Sequence, residues 1–205
     1  MPIDLEERLR HVVAESSGSD RPPRLLNVGC GRDRRHGYVN VDISPLPDVD
    51  VVASLADQSL PFPDGAFTTI LCRDILEHVE IVPALRELHR VLAPGGAVVI
   101  SAVHFTSRNL HVDPTHVRGY SVRTFDFFVK GSSRRDRSYY FDFSFDEVLE
   151  ATIQFSAGLG RGRFLVWDRL VEPLVNANAM VQDLYELTFA SRLFPAANVI
   201  AVLRK

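Results

Sequence analysis

Two groups of residues have the types and spacing to do chemistry. The first is Asn27-Val28-Gly29-Cys30-Gly31, followed by Val41-Asp42-Ile43. Glycines let the backbone bend sharply and approach a ligand closely. An acid at the tip of the second strand of a doubly wound sheet accepts hydrogen bonds from ribose hydroxyls. Together these residues describe a nucleoside-binding crevice. The second group is His104, His111, Asp113 and His116. Imidazole titrates near neutral pH, so His104 and His116 are the candidate general bases for a hydroxyl or amine. The plainer reading makes Asp113-Pro114-Thr115-His116 a turn in a polar lid. Imidazole and carboxylate also ligate zinc, but this spacing matches no established zinc signature, and no metal is expected.

These residues need elements to position them. An apolar run over 25–28 precedes the glycine turn, and 39–43 alternates apolar with polar residues before Pro45 and Pro47. Further strands are expected over 49–53, 68–72, 97–103, 149–155 and 198–203. Residues 97–103 are almost wholly apolar, as in a strand buried on both faces. Helical spacing marks 5–14 and, more strongly, 81–92, where Pro83 falls in the first turn and Pro94-Gly95-Gly96 ends the run. Residues 31–39 leave no room for a full helix. Beyond Val103, 121–129 reads as helix, 132–137 as a basic loop and 165–194 as mainly helical. Alternation from Tyr139 through Phe145 reads as strand packing. Strands alternating with helices or turns give an α/β fold.

The bulk properties narrow the class. The 205 residues are 46% hydrophobic and 24% charged, with a formal net charge of −3, ordinary values for a globular chain. They give no footprint for a nucleic-acid partner or a membrane surface, and no apolar run is long enough to span a bilayer. The charged N-terminus is unlike a signal peptide, so a cytoplasmic location is expected. Cys30 and Cys72 make no disulfide framework and are expected to be free.

By Gly96 the pattern resembles the class I S-adenosylmethionine-dependent methyltransferases, in their compact methyltransferase-domain group. Five motifs in order carry the resemblance: residues 27–31, Val41-Asp42, residues 60–67, Ile75-Leu76-Glu77-His78-Val79, and residues 90–96. It implies a Rossmann-like, doubly wound seven-stranded sheet, mostly parallel, whose last strands form an antiparallel C-terminal edge. It also implies one domain: an N-terminal helix and linker (1–23), a cofactor core (24–103), and a lid with acceptor-side helices and last strands (104–205). S-adenosylmethionine is the implied cofactor. Asn27, Gly29, Cys30 and Gly31 would wrap its methionine and ribose part, Asp42 with Ile43 its ribose side, Leu55 its adenine. Cys72 and Arg73 would line the methionine end, with His78 nearby.

Asn27 stands where many relatives carry an acid, and Asp33 and Arg34 break the longer glycine patterns. Cys72-Arg73-Asp74-Ile75 lacks the Pro-Pro-aromatic loop of amino-group methylases, which leaves a small-molecule acceptor as the expected partner. Arg32, Arg34, Arg35 and His36 would suit an anionic acceptor, though a solvated loop explains them more simply. Leu170, Leu174, Leu184 and Leu187 are too apolar to stand free and must pack on the sheet or a partner, which suggests a homodimer through 165–194. Two other functions stay open: a non-catalytic cofactor-binding scaffold, and a nicotinamide-dependent oxidoreductase.

Overall fold

The computed structural model describes residues 5–16, 23–57, 59–134, 138–140, 142–155 and 170–205. Seven strands form one sheet: β1 (Leu25–Val28), β2 (Tyr38–Asp42), β3 (Val51–Val52), β4 (Phe67–Arg73), β5 (Leu92–Val103), β6 (Glu147–Gln154) and β7 (Asn198–Arg204). Their order is β3-β2-β1-β4-β5-β7-β6. The first five run parallel, while β7 is antiparallel to both β5 and β6. The expected antiparallel edge is therefore present, with β7 inserted one place in and β6 outermost.

Side-chain alternation sorts the sheet into two buried faces. Ile70, Cys72, Val98, Ile100, Val199 and Ala201 point one way, into the main core. The helix α2 (Ile81–Val91) joins them there through Ala84, Leu85, Leu88 and Val91. Leu71, Ala97, Val99 and Val202 point the other way, where α1 (Leu5–Ser16) covers them with Leu9 and Val12. Residues 31–37 form turns without a helix.

Three expectations are corrected. Pro94-Gly95-Gly96 ends α2 but lies within β5, as a register shift between the pairs Phe67–Leu92 and Thr69–Ala97. The stretch 121–129 yields only a short 3-10 helix, Thr124–Phe128. The alternation from Tyr139 does not make a strand. Tyr139 and Tyr140 are exposed in a 3-10 helix, whereas Phe143 and Phe145 tuck beside His89. Aromatic side chains can plug a core from a loop and mimic a strand's period.

Among the described residues past β5 lie the short helices α3 (Asn109–Val112), α4 (Glu172–Val175), α5 (Ala179–Leu187) and α6 (Ala190–Leu193). Trp167 and the rest of 156–169 lie outside the described residues. Within them, Leu170, Leu174, Leu184 and Leu187 do not pack on the sheet but face solvent. Among the described residues, no helix is long and apolar enough to cross a membrane.

Candidate active site

The glycine turn is built by close packing and by one carboxylate. Gly29 has φ of +64°, and a Cβ there would stand 2.0 Å from Ile75 Cδ1, so only glycine fits. Gly31 also has positive φ (+49°), yet no atom lies within 4 Å of where its side chain would be. Its bare backbone is open to a ligand. Asp42, at the end of β2, accepts the Gly31 N–H on Oδ2 (2.7 Å) and the Ser44 N–H on Oδ1 (2.8 Å). Each oxygen keeps a lone pair for a further donor. Asn27 is buried and points inward, its Nδ2 donating to the Asp33 carbonyl (2.8 Å) and to Asn40 Oδ1 (3.1 Å). A charged acid is not needed for that task.

Above this turn a crevice of about 490 Å3 is lined by Asn27, Gly29, Cys30, Asp33, Arg73 and Ile75 among others. It meets a second cleft, of about 590 Å3, at Arg73 and Asp74. Arg73 spans the junction and ion-pairs with Asp33 (3.1 Å). Asp74, with φ of +55°, turns the chain off the end of β4 and accepts the Asn198 amide N–H at 2.9 Å. A non-glycine residue in the left-handed region stores strain that the surrounding structure must hold. The larger cleft sits where the ends of β4 and β5 meet the start of β7, which is the ligand end of such a sheet. Its walls include Glu77, Ser101, Asp113 and His116.

Glu77 has no solvent exposure and no hydrogen-bond partner on either carboxylate oxygen. Burial pushes its carboxyl up to about 7, with Asp74 and Asp113 adding to the rise; the backbone N–H groups of Glu77 and Val103 offset part of it from close by without reaching hydrogen-bond geometry. Around it the histidines are oriented by their Nδ1 atoms. His116 Nδ1 donates to the Asn109 carbonyl (3.0 Å). His78 Nδ1 lies 2.9 Å from Thr115 Oγ1, and that hydroxyl lies 2.6 Å from Asp113 Oδ1. The rings of His78 and His116 meet edge to face at 4.6 Å.

The remaining candidates are placed differently from expectation. His104 is fully buried, with both ring nitrogens occupied. Nδ1 accepts the Thr106 N–H (3.1 Å), so the proton sits on Nε2 and is donated to Glu186 Oε1 (3.1 Å). It ties β5 to α5 rather than facing either cavity. His111 is exposed, so the set His104, His111, Asp113 and His116 does not converge. Cys72 and Leu55 are core side chains, and burial holds the Cys72 thiol far above its ordinary value. Cys72 can meet a ligand only through its backbone. Ile43 is 68% exposed, an apolar surface beside Asp42. Both cysteines are free thiols.

Of the arginines after the glycine turn, Arg34 and Arg35 are spent on the chain's own carboxylates, while Arg32 lines the crevice. Arg35 grips Glu6 (2.6 and 2.8 Å) and Asp33 (3.0 Å), and Arg34 pairs with Asp48 (2.9 Å). The solvated-loop reading describes them better than an anion site does. From the sequence, Glu77 and His78 are as readily capping or orienting residues as residues that touch the cofactor. The signal available was an acid beside a histidine just past a strand tip, without any sign of what would meet it.

The sheet order, with a crevice at the carboxyl end of its strands, is that of a Rossmann-like methyltransferase fold. Residues 9–100 match the family model described as "Methyltransferase domain". The solved structure of a SAM-dependent methyltransferase from Archaeoglobus fulgidus superposes with a TM-score of 0.58 at 17% identity, covering 98% of this chain and 93% of that one. An uncharacterized protein of Methanocaldococcus jannaschii is 40% identical over 39% of this chain. Norajmaline N-methyltransferase of Rauvolfia serpentina is 27% identical over 52% of it. The matched segments span 40% and 44% of those two relatives' own lengths.

Proposed function

We propose that this chain transfers the methyl group of S-adenosylmethionine to a small-molecule acceptor held in the larger cleft. The observation that carries the reading is the junction at Arg73 and Asp74, which joins the glycine-turn crevice to a cleft floored by Glu77 and His116. In this reading Asp42 holds the ribose hydroxyls on its free lone pairs. Ile43 offers an apolar face to the adenine. The backbone of Gly29, Cys30, Gly31 and Cys72 follows the rest of the cofactor, with Asn27 fixing the turn from below. Bound there, S-adenosylmethionine supplies an electrophilic methyl group, whose C–S electrons stay on sulfur as the acceptor's lone pair forms the new bond. The protein's task is alignment of the two cavities. Of the two expected bases, His116 is the one that faces the acceptor. Its Nε2 carries a lone pair because Nδ1 donates to Asn109, while Asp113 Oδ2 stands 3.8 Å away.

Calorimetric titration with S-adenosylmethionine and S-adenosylhomocysteine tests this. Saturable binding is expected, weakened by roughly 1–3 kcal/mol in Asp42→Ala, the cost of stranding buried polar partners. A wild-type protein that takes up neither compound would sink the proposal.

The exposed leucines of 170–187 support a second proposal, that two copies associate through that surface. Leu187 is 84% exposed and Met180 70%. Sedimentation velocity of wild type against Leu187→Asp decides it: a dimer that dissociates supports the reading, and identical monomers end it.

A further inference from the structure

We infer that Glu77, His78 and His116 bind a divalent transition-metal ion at the floor of the larger cleft. One ligand atom from each of the three lies within 4.8 Å of the others. Glu77 and His78 come from the 3-10 helix Leu76–His78 just past β4, and His116 from the loop after α3. Three facts give the group the character of a ligand set.

First, the Glu77 carboxylate is wholly buried, and neither oxygen has a hydrogen-bond partner. A carboxylate withdrawn from water needs a partner, and the nearby guanidinium of Arg73 is engaged with Asp33 and Asp74 instead. A cation between Glu77 and the histidines would supply what is missing.

Second, both imidazoles are oriented as metal ligands are, with one ring nitrogen donating to a protein acceptor and the other left with its lone pair. His116 gives its Nδ1 hydrogen to the Asn109 carbonyl. Thr115 Oγ1 spends its only hydrogen on Asp113 Oδ1 at 2.6 Å, so it accepts from His78 Nδ1 at 2.9 Å. Both Nε2 atoms are thereby left free to bind. The Asp113–Thr115–His78 relay has the form of an outer shell: a carboxylate that orients a ligand without being one.

Third, the donor chemistry is specific. Two imidazoles and one carboxylate suit zinc and its first-row neighbours, whereas magnesium and calcium prefer oxygen ligands alone. With three protein ligands, coordination positions remain for the contents of the cleft, as in catalytic zinc sites.

The consequence for substrate class rests on the reading of this cleft as the acceptor site. An acceptor carrying a hydroxyl group would place its oxygen on the ion. The ion would lower that hydroxyl's pKa, releasing the proton to solvent and leaving a nucleophilic oxygen for methylation. His116 would then act through the metal and not as a free base. An oxygen acceptor is therefore favoured over an amine, whose only lone pair the ion would occupy, whereas a metal-bound alkoxide keeps further lone pairs for attack.

The test uses the whole protein, stripped with a chelator and titrated with Zn2+ by calorimetry and with Co2+ by visible absorption. One ion per chain is expected, and Co2+ should develop the ligand-field bands of a nitrogen- and oxygen-bound site. His78→Ala, His116→Ala and Glu77→Gln should each weaken binding at least roughly tenfold, since even outer-shell partners of metal ligands carry effects of that size. His111→Ala, altered at an exposed histidine of α3, should bind like wild type, and Mg2+ should not compete. Thermal unfolding of each stripped variant checks that it folds, with His116→Gln in place of any alanine variant that does not. The inference is overturned by a wild type that binds no stoichiometric Zn2+, or by variants that bind it as tightly as wild type does. Because the titration contains no S-adenosylmethionine, its failure leaves the cofactor reading standing, and a protein that binds metal but not the cofactor would separate the two the other way.

Discussion

Helices α2 and α5 are of similar length and are attached to the same sheet by opposite means. α2 buries Ile81, Ala84, Leu85, Leu88 and Val91, and with them Glu87, whose Oε1 accepts the Leu60 N–H. α5 turns Met180, Leu184 and Leu187 to solvent and sends Gln182 and Tyr185 inward. Its hold is directional. Glu186 accepts from His104 Nε2, the Val122 N–H and the Ser121 hydroxyl, while Gln182 donates to the Ala151 carbonyl and accepts from Arg123. Apolar burial fixes α2 against displacement but leaves its contacts interchangeable. A hydrogen-bonded attachment tolerates an exposed apolar face but depends on each partner being present. The half of the molecule that carries the glycine-turn crevice is thus anchored mainly by volume, and the half beside the larger cleft mainly by specific bonds.

Truncation gives the largest contrast. Leu88→Ala should cost roughly 2–5 kcal/mol in urea unfolding, the usual range for emptying a closed core site. The same change at Leu187 should stay within about 0.5 kcal/mol, and comparable losses at the two positions would break the comparison. Acid should next strike the α2 side. Burial, with Lys205 nearby, lowers the His89 pKa to about 4, so the fold holds its ring neutral. Its contribution is complete above the unfolded value of about 6.5 and is lost as the pH falls towards 4; about 1.4 kcal/mol per unit sets a ceiling of about 3.5 kcal/mol, which solvent screening of the half-buried ring reduces to roughly 2–3 kcal/mol. His89→Asn should flatten that slope in denaturation curves taken across the interval, and an unchanged slope would assign it elsewhere. Glu186→Gln should have the smallest of the three losses, roughly 1–3 kcal/mol, because its amide meets donors where a carboxylate accepted them. If the melting temperature does not move, α5 is held by something other than this carboxylate.

What could be read in the sequence follows the range of the interactions. The glycine turn, Asp42 and the strands around them are local patterns, and each residue's type answers a need of its own backbone. Gly29 could be identified as a glycine the turn requires, although its neighbour Ile75, which enforces that choice, could not. His104 misled because its place after β5 marks the ligand end of a strand, whereas its partner Glu186 lies far along the chain and turns it inward. Glu77 and His78 can be read in the sequence as capping residues or as cofactor contacts, and nothing local to them shows that His116 lies beside them. Phe143 and Phe145 repeat a strand's period because a loop packs both beneath α2's His89. Periodicity reports which side chains are buried, and only pairing partners make a strand.

The insertion of β7 between β5 and β6 also sets an order of events. β5 can pair with β4 as soon as both exist, but its other edge pairs residue for residue with 198–204, the last strand in sequence. During synthesis the five parallel strands can assemble early, with the apolar edge of β5 open. β6, though made before β7, has no neighbour to join until β7 arrives. Contacts so distant along the chain are slow to form, and an unpaired central edge invites pairing with other chains. The closing of this sheet should therefore be the slow step of folding, and the interval before it the period of greatest exposure to aggregation.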